Sequence, residues 1–348
     1  MNILYIAYSC NPFAGSEDKI GWCVPYESSK TNKVYVITKE EQREPVEKYL
    51  QSHPLENIKF YYVDIPNFYK KIFKGFMYSG RLNVWNRRVL PLAKKICADQ
   101  KIDVIHQITP IEFRAIGDYG KIANIKFVCG PLGGGESLPN GLKNYAKGHE
   151  IIEVVRSGIN RWYRFKLRIT GKLNRCDYIM FANKETRDFL GLDENFPLVT
   201  EIAADEISIE KRTISNDIND ERVFLFAGRM VYRKGLELLF DAIMEIPDEW
   251  KYIVKIVGDG PDFLHLKHRC ESNSLLSAHV QFMGAVQYSE MQREYELSDV
   301  LIMPSIRETT GTVLIEAMSQ GMPVITINKF GGAILVDENT GWLYNGEN

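Results

Sequence analysis

The chain has 348 residues, of which 45% are hydrophobic and 25% are charged, so it can form two globular domains and is not a disordered or collagen-like protein. Its six cysteines are scattered without a C-x-x-C pair, which argues against a disulfide framework or a structural zinc site and favours a reducing cytoplasm. The net charge of −2 combines +9 over residues 1–200 (30 basic, 21 acidic) with −11 over residues 201–348 (13 basic, 24 acidic), which suggests two lobes with different partners.

The amino terminus has neither the charged nor the apolar region of a signal peptide, because a strand-like run begins at Asn2. No run approaches the roughly 18–20 apolar residues of a membrane span. We therefore expect a cytoplasmic protein.

Short apolar, β-branched runs alternate with helical stretches along the whole chain, which predicts an α/β protein with parallel sheets covered on both faces. The predicted strands of the first half are Ile3–Tyr8, Val34–Thr38, Ile58–Val63, Val104–Ile108, Lys126–Cys129 and Tyr178–Ala182. Those of the second half are Val223–Ala227, Tyr252–Val257, Val280–Met283, Val300–Met303 and Pro323–Ile327.

A polar stretch, Glu206–Glu221, separates the two sets of strands. We predict two Rossmann-like doubly wound domains, residues 1–205 and 206–348, that face each other across a cleft at the carboxyl ends of their strands.

Several glycine-rich loops follow the predicted strands, where ligands of such sheets bind. None of them contains a P-loop or a strict G-x-G-x-x-G. The motifs therefore do not support assignment of the protein as an ATPase or a nicotinamide-dependent enzyme. These loops are residues 11–21, 130–136, 228–235 and 258–261.

The segment 299–327 is the most informative one, because a buried strand is followed by Glu308 and then by a helix that ends at Gly321. The first amides of that helix form an anion site. Glu308 and Glu316 lie on either side of this site, where they contact a sugar and a ribose or serve only as cap and surface residues. The predicted anion-binding amides are those of Gly311, Thr312 and Val313.

The loop 228–235 places Arg229 and Lys234 after another buried strand. These cations neutralise a departing diphosphate, or they are solvated residues at the start of a helix. Spacing alone leaves both readings open.

Together these segments resemble the nucleotide-sugar-binding lobe of the retaining GT-B glycosyltransferases of family four, of the bacterial surface-polysaccharide type. The resemblance covers residues 223–344 and rests on motifs in the family's order: GR-x4-KG from Gly228, VGDGP from Val257, SDVLIMPS-x-RE from Ser298, and E-x7-E with EAM-x2-G-x-PVI. SCNPFAGSEDKIGW from Ser9 and GPLGGGE from Gly130 resemble the amino-terminal half of the same group.

The resemblance implies a role for each matching residue. Arg229 and Lys234 hold the donor diphosphate, Glu316 binds the ribose, and Glu308 contacts the transferred sugar. The amides of residues 311–313 meet phosphate or sugar oxygens. The family retains anomeric configuration by front-face attack and needs neither a protein nucleophile nor a metal. No D-x-D follows a strand here, so we expect no metal and no cofactor apart from the donor substrate.

Three residues of the first half are further candidates. Gly15 approaches the donor from the first domain. His106, at the end of the strand DVIHQ, and Glu136, after three glycines, contact the sugar or the acceptor. A histidine at a strand end is more often structural.

The chain departs from the family in two places. Ala333–Val336 follow Gly331–Gly332, where relatives commonly carry a glutamate. The sequence stops at Asn348, before the carboxy-terminal helices that relatives usually have, so we expect either a truncated form or a chain without the last helices.

Two stretches, 65–98 and 156–175, combine basic and aromatic residues: the first has eight Lys or Arg and no acid, and the second has seven Lys or Arg. Such stretches contact an anionic membrane surface, which suits a lipid-linked acceptor at the inner face of the cell membrane. Alternatively, they are solvated helices whose aromatic residues lie in the core. No nucleic-acid-binding module is present.

We therefore expect a retaining, metal-independent hexosyltransferase that uses a nucleoside-diphosphate sugar, with UDP favoured, in capsule or exopolysaccharide biosynthesis. A nucleotide-sugar epimerase on the same scaffold is one alternative. A non-catalytic, glycan-binding partner subunit of a transferase is the other.

Overall fold

The computed structural model describes residues 1–200, 220–247 and 249–346. The chain forms two compact units, Met1–Gly135 with Glu153–Ala203, and Glu136–Ile152 with Ala204–Asn348. The predicted boundary between residues 205 and 206 lies outside the described residues. The predicted first domain also includes Glu136–Ile152, which the structure assigns to the second unit.

The first unit contains a six-stranded parallel sheet in the order β3-β2-β1-β4-β5-β6. Its strands are β1 (Asn2–Ala7), β2 (Lys33–Lys39), β3 (Ile58–Val63), β4 (Val104–Thr109), β5 (Lys126–Leu132) and β6 (Tyr178–Phe181). Its helices are α1 (Ser16–Ser29), α2 (Arg43–Ser52), α3 (Asn67–Ile72), α4 (Tyr78–Gln100), α5 (Glu150–Thr170, whose first turn belongs to the second unit) and α6 (Lys184–Leu190).

The second unit repeats this order as β12-β11-β10-β7-β8-β9, again parallel throughout. Its strands are β7 (Arg222–Ala227), β8 (Tyr252–Val257), β9 (Val280–Gly284), β10 (Val300–Met303), β11 (Val324–Ile327) and β12 (Gly341–Tyr344). Its helices are α7 (Leu236–Met244), α8 (Phe263–Glu271), α9 (Ser274–His279), α10 (Tyr288–Glu296), α11 (Thr312–Ser319) and α12 (Gly332–Leu335). The predicted strands agree with this list apart from their ends, and β12 was not predicted.

Each sheet is covered on both faces, because alternate side chains of a strand point to opposite sides. In β1, Leu4 and Ile6 join one core with Trp85 of α4. Ile3 and Tyr5 join a second core with residues of α1. Burial on both faces explains why these strands are continuous apolar runs, and it confirms the predicted doubly wound class.

No helix among the described residues is long and apolar enough to cross a membrane.

A buried polar network fixes the loop between β4 and β5 against α4. Asn86 of α4 donates to the Ala115 carbonyl (2.7 Å) and accepts from the Tyr119 hydroxyl (2.8 Å). Gln107 of β4 donates to the same carbonyl (3.0 Å) and accepts from the Gly117 amide (2.8 Å). Tyr119 is fully buried, so its hydroxyl has no access to water.

We predict that Tyr119→Phe lowers the free energy of unfolding by about 1–3 kcal/mol, because it leaves the Asn86 amide oxygen buried without a donor. Tyr35→Phe is the matched control, since its half-buried hydroxyl bonds Gln100 at 2.9 Å and water can replace it. Urea titrations of both variants measure the difference. Equal losses would contradict the network's contribution.

Candidate functional site

The loops that follow β7 and β10 lie side by side, because these two strands pair in parallel with Leu225 opposite Leu301. This is the point in the second sheet where the strand order reverses. Ligands of doubly wound sheets bind outside the carboxyl ends of the strands at such a point. Arg229 and Lys234 follow β7, and Glu308 follows β10, so the fold brings these predicted residues to one edge.

Gly235 holds the two loops in contact. Its φ is +73°, and an added Cβ would lie 1.9 Å from the carbonyl oxygen of Pro304, just beyond β10. Only glycine combines this backbone conformation with so close an approach.

An ion pair between Lys234 and Glu308 lies at the centre of this edge. The two side chains are only 13% and 14% exposed. Arg233 adds a second cation, with Nη1 3.7 Å from Glu308 Oε1. The Thr309 amide donates to the same oxygen (3.3 Å). Glu308 is therefore a buried carboxylate held by two cations.

Burial alone raises the pKa of Glu308. The charges of Lys234 and Arg233, with the hydrogen bonds from Lys234 and the Thr309 amide, outweigh burial and lower the pKa below its usual range. Glu308 is thus ionised at neutral pH. A carboxylate so fixed accepts hydrogen bonds from hydroxyl groups.

Helix α11 begins directly beside this pair. Its N-cap is Gly311, with φ of +87° and no side chain to cap the helix, so the amides of Thr312 and Val313 point out of the first turn. They carry the positive end of the helix dipole. The three predicted amides thus lie at a helix start, as expected from the sequence.

Glu316 lies in the same helix and is half-buried. The Tyr295 hydroxyl donates to its Oε2 (2.8 Å) and fixes its orientation. Arg229 is exposed, and no ion pair of its guanidinium is found in the part of the chain that the structure describes.

The sequence reasoning did not identify Arg233 or Tyr295. It also missed an aromatic contact beside the site, where the rings of His149 and Tyr232 lie 4.1 Å apart and Arg307 donates to the Tyr232 hydroxyl (3.2 Å). The cationic run at residues 233–234 was a usable signal for Arg233. Nothing in the sequence pairs Tyr295 with Glu316.

The other candidates lie away from this pair in the chain. His106 lies inside β4 rather than at its end, because the strand continues to Thr109. Its Nε2 bonds the Gly130 carbonyl (2.8 Å), and its ring lies 5.4 Å from that of Tyr5. Burial, only partly offset by that hydrogen bond, lowers the pKa of His106. A neutral ring that links two strands suffices to explain the residue, and its catalytic role stays a prediction.

Gly15 is the N-cap of α1, at the carboxyl edge of the first sheet. Glu136 is buried, with 3% of its surface exposed, at the start of the segment that joins the second unit. That segment belongs there because Leu142 and Ala146 share a core with Ile306, Ile327 and Phe330. Sugar or acceptor contacts of Gly15 and Glu136 stay predictions.

No group of three or more His, Cys, Asp or Glu side chains within the described ranges is placed to hold a metal ion. Metal independence stays a prediction.

Residues 208–348 match the family model of the "Glycosyl transferases group 1". This segment is therefore similar to the group 1 glycosyltransferases. An uncharacterized glycosyltransferase of Methanocaldococcus jannaschii is 32% identical over 129 residues, which are 36% of this chain and 33% of that protein. The first matched curated relatives are covered over only a quarter to a half of their length.

Solved structures match the whole chain at low identity. The apo lipopolysaccharide outer core galactosyltransferase WaaB has a TM-score of 0.65 at 16% identity, with 99% of this chain and 86% of that chain covered. HepE of Anabaena in complex with UDP has a TM-score of 0.61 at 16% identity, with the same coverage. These likenesses confirm the GT-B fold.

We predict that Glu308→Gln removes a pH-dependent part of the stability. Because the folded pKa is lowered, ionised Glu308 stabilises the fold fully above its unfolded pKa of about 4.3, and this contribution is lost as the pH falls through the folded value. The difference in unfolding free energy between the wild type and Glu308→Gln therefore stays constant from roughly pH 5.5 to 7 and shrinks below about pH 4.5.

Urea titrations across this range measure that difference. Glu271→Gln, which removes an exposed carboxylate of α8, controls for the general loss of one negative charge. A difference that grows on acidification would contradict the assignment.

We predict that Gly235→Ala destabilises the protein more than Gly284→Ala. Both residues have a left-handed φ (+73° and +72°), so both variants lose about 1–2 kcal/mol from the backbone. Only at Gly235 does the new methyl also meet a carbonyl, whereas nothing lies within 4 Å of a Cβ at Gly284. Thermal unfolding of the two variants distinguishes the cost of the contact with the Pro304 carbonyl from the cost of the left-handed backbone conformation. Equal changes in Tm would show that the contact is unimportant.

Proposed function

We propose that this protein is a retaining glycosyltransferase that moves a hexose-type sugar from a UDP-sugar to a glycan or lipid-linked glycan, forming an α-linkage in cell-surface polysaccharide biosynthesis. The observation that carries the proposal is the buried Lys234–Glu308 pair beside the start of α11. It combines cations for a diphosphate with a fixed carboxylate for a sugar.

The diphosphate binds where positive charge is available. Arg229 is exposed at the mouth of the loop, and its planar guanidinium suits two phosphate oxygens at once. Lys234 retains ammonium protons beyond the one directed at Glu308. Together with the amides of Thr312 and Val313, these groups stabilise the negative charge that develops on the leaving nucleoside diphosphate.

The two carboxylates orient the donor. Glu308, held by Lys234 and Arg233, accepts hydrogen bonds from hydroxyls of the transferred sugar. Glu316, oriented by Tyr295, accepts them from the ribose. Because Glu308 is engaged by two cations, its role is positioning rather than nucleophilic attack.

The reaction proceeds on one face of the sugar. The acceptor hydroxyl attacks the anomeric carbon from the side of the departing phosphate. The bond between that carbon and the phosphate oxygen breaks, and its electron pair leaves with UDP. A phosphate oxygen takes the acceptor's proton, so the configuration is retained without a protein nucleophile or a metal.

The choice of donor and setting rests on similarity. HepE, which shares the fold, binds UDP, and WaaB is a galactosyltransferase of the lipopolysaccharide outer core. These neighbours support a UDP-sugar, a surface glycan as acceptor, and action at the cytoplasmic side of the membrane.

We predict that UDP binds the wild type without magnesium, and that Lys234→Ala and Glu316→Ala each weaken binding at least about tenfold, the effect of losing one charged hydrogen bond. Calorimetry with UDP, GDP and ADP, with and without magnesium, measures this. Lys251→Ala, an exposed lysine of the same unit, is the control and leaves binding unchanged.

Other outcomes separate the alternatives. Tighter binding of GDP or ADP would reject the UDP assignment, and a magnesium requirement would reject metal independence. No binding of any nucleotide by folded protein favours the non-catalytic partner subunit. If a nucleotide sugar is isomerised without an acceptor, the epimerase is favoured. The anomeric configuration of a transferred sugar, read by NMR, tests retention.

A further inference from the structure

Helix α5 turns an apolar face to the solvent. Val155, Trp162, Phe165 and Ile169 follow one another at helical spacings of seven, three and four residues, so they share one side of the helix. Trp162, Phe165 and Ile169 are 55%, 60% and 67% exposed. Large apolar side chains grouped in this way are unusual on a protein surface and mark an interaction site.

The opposite side of α5 fixes the helix to the first unit through polar groups. Arg156 and Asn160 are buried and both donate to the Gly134 carbonyl, each at 3.0 Å. Leu167 joins the main core of this unit. The helix is therefore held by its inner face, and its outer face takes no part in the core.

Basic residues flank the apolar face. Arg161 and Arg168 are exposed, and Lys166 Nζ lies 4.9 Å from the centre of the Trp162 ring. No acidic residue occurs between residues 154 and 176. Such a helix, with aromatic residues on one side and cations beside them, lies in the plane of a membrane interface.

A pocket of about 330 Å³ adjoins this face between α4 and α5. One carboxylate, Asp118, contacts three of the pocket's cations at 3.2–3.4 Å. The other two cations, Arg87 and Lys166, form no ion pair with a described residue. The charged residues of the lining are Arg87, Asp118, Lys121, Lys166, Lys172 and Arg175. An excess of positive charge in a concave site fits an anion.

We propose that the outer face of α5 and this pocket form a docking surface for an anionic phospholipid bilayer. The four apolar side chains extend over about 21 Å of the helix, at 1.5 Å per residue, and enter the boundary between headgroups and acyl chains. A lipid phosphate occupies the basic pocket. The inference goes beyond the proposed transfer reaction, because it concerns the surface on which the protein works.

The structure separates buried from exposed aromatic residues in the two basic stretches. In the first stretch Trp85 is fully buried and joins the core, whereas Phe68 is 65% exposed. In the second stretch Trp162 and Phe165 face outward. The stretches meet at the pocket, where Arg87 comes from α4 and Lys166 from α5.

The test is flotation of the full chain with vesicles of phosphatidylcholine alone or with about 30% phosphatidylglycerol, a charge that attracts basic surfaces. No nucleotide is added, so the result does not depend on the transferase proposal. We expect binding to the anionic vesicles. The variant Trp162→Ser/Phe165→Ser lowers the partition coefficient at least about tenfold. Both residues are exposed, so folding is preserved, and thermal unfolding checks this.

The pocket has its own variant. Arg87→Gln/Lys166→Gln lowers partition into anionic vesicles by about tenfold or more, at roughly fivefold per cation, and leaves the weak binding to phosphatidylcholine unchanged. Matched controls in the second unit are Trp250→Ser/Leu264→Ser for exposed apolar area and Lys251→Gln/Lys267→Gln for charge. Neither control changes binding.

Three results would overturn the proposal. The first is that the wild type does not bind anionic vesicles. The second is that Trp162→Ser/Phe165→Ser or Arg87→Gln/Lys166→Gln binds them as well as the wild type does. The third is that the wild type is a dimer in solution that Trp162→Ser/Phe165→Ser dissociates while vesicle binding persists, which would assign the face to a second copy of the chain.

Discussion

The arrangement of the loops that follow β7 and β10 depends on the ion pair between Lys234 and Glu308. The pair joins loops that are 74 residues apart in the sequence, at the one point in the sheet where the strand order reverses. Removing water from two opposite charges is costly unless they remain paired and hydrogen-bonded. Each partner therefore fixes the other, and the two loops keep a single arrangement before any ligand arrives.

This arrangement explains why a lysine and a glutamate with separate expected roles are found in contact. A phosphate group that approaches Lys234 adds negative charge beside Glu308, and Arg233 partly compensates for it. In the proposed function, the donor's diphosphate and its sugar are therefore recognised by coupled rather than independent groups. On this proposal, mutations in either loop affect both ends of the donor, and their effects are not additive.

The sequence alone predicted the class of fold and nearly every strand, because strands buried on both faces are unbroken apolar runs bounded by turns. It missed β12, since Gly341–Tyr344 is short and its Trp342 is exposed. The residues that the motifs single out could be placed at one edge of the sheet because they follow strands directly, and their roles stay predictions. The Tyr295–Glu316 bond and the inward placement of His106 depend on packing between distant segments, which no local pattern encodes. For the stretch 156–175 the sequence left two interpretations open for the same reason: periodicity identifies an apolar side of a helix but not whether that side faces the core or the solvent.

The segment Glu136–Ile152 belongs to the unit whose other residues begin at Ala204, so the chain changes unit three times rather than once. Leu142 and Ala146 cover Ile306, Ile327 and Phe330, and a polypeptide that starts after residue 204 leaves those side chains open to water. The two units therefore are not interchangeable modules of one continuous stretch each. Exchange of the residues after 204 between related proteins by a single recombination event would bring in a unit without the segment that packs on Ile306, Ile327 and Phe330. The two parts are therefore expected to evolve together.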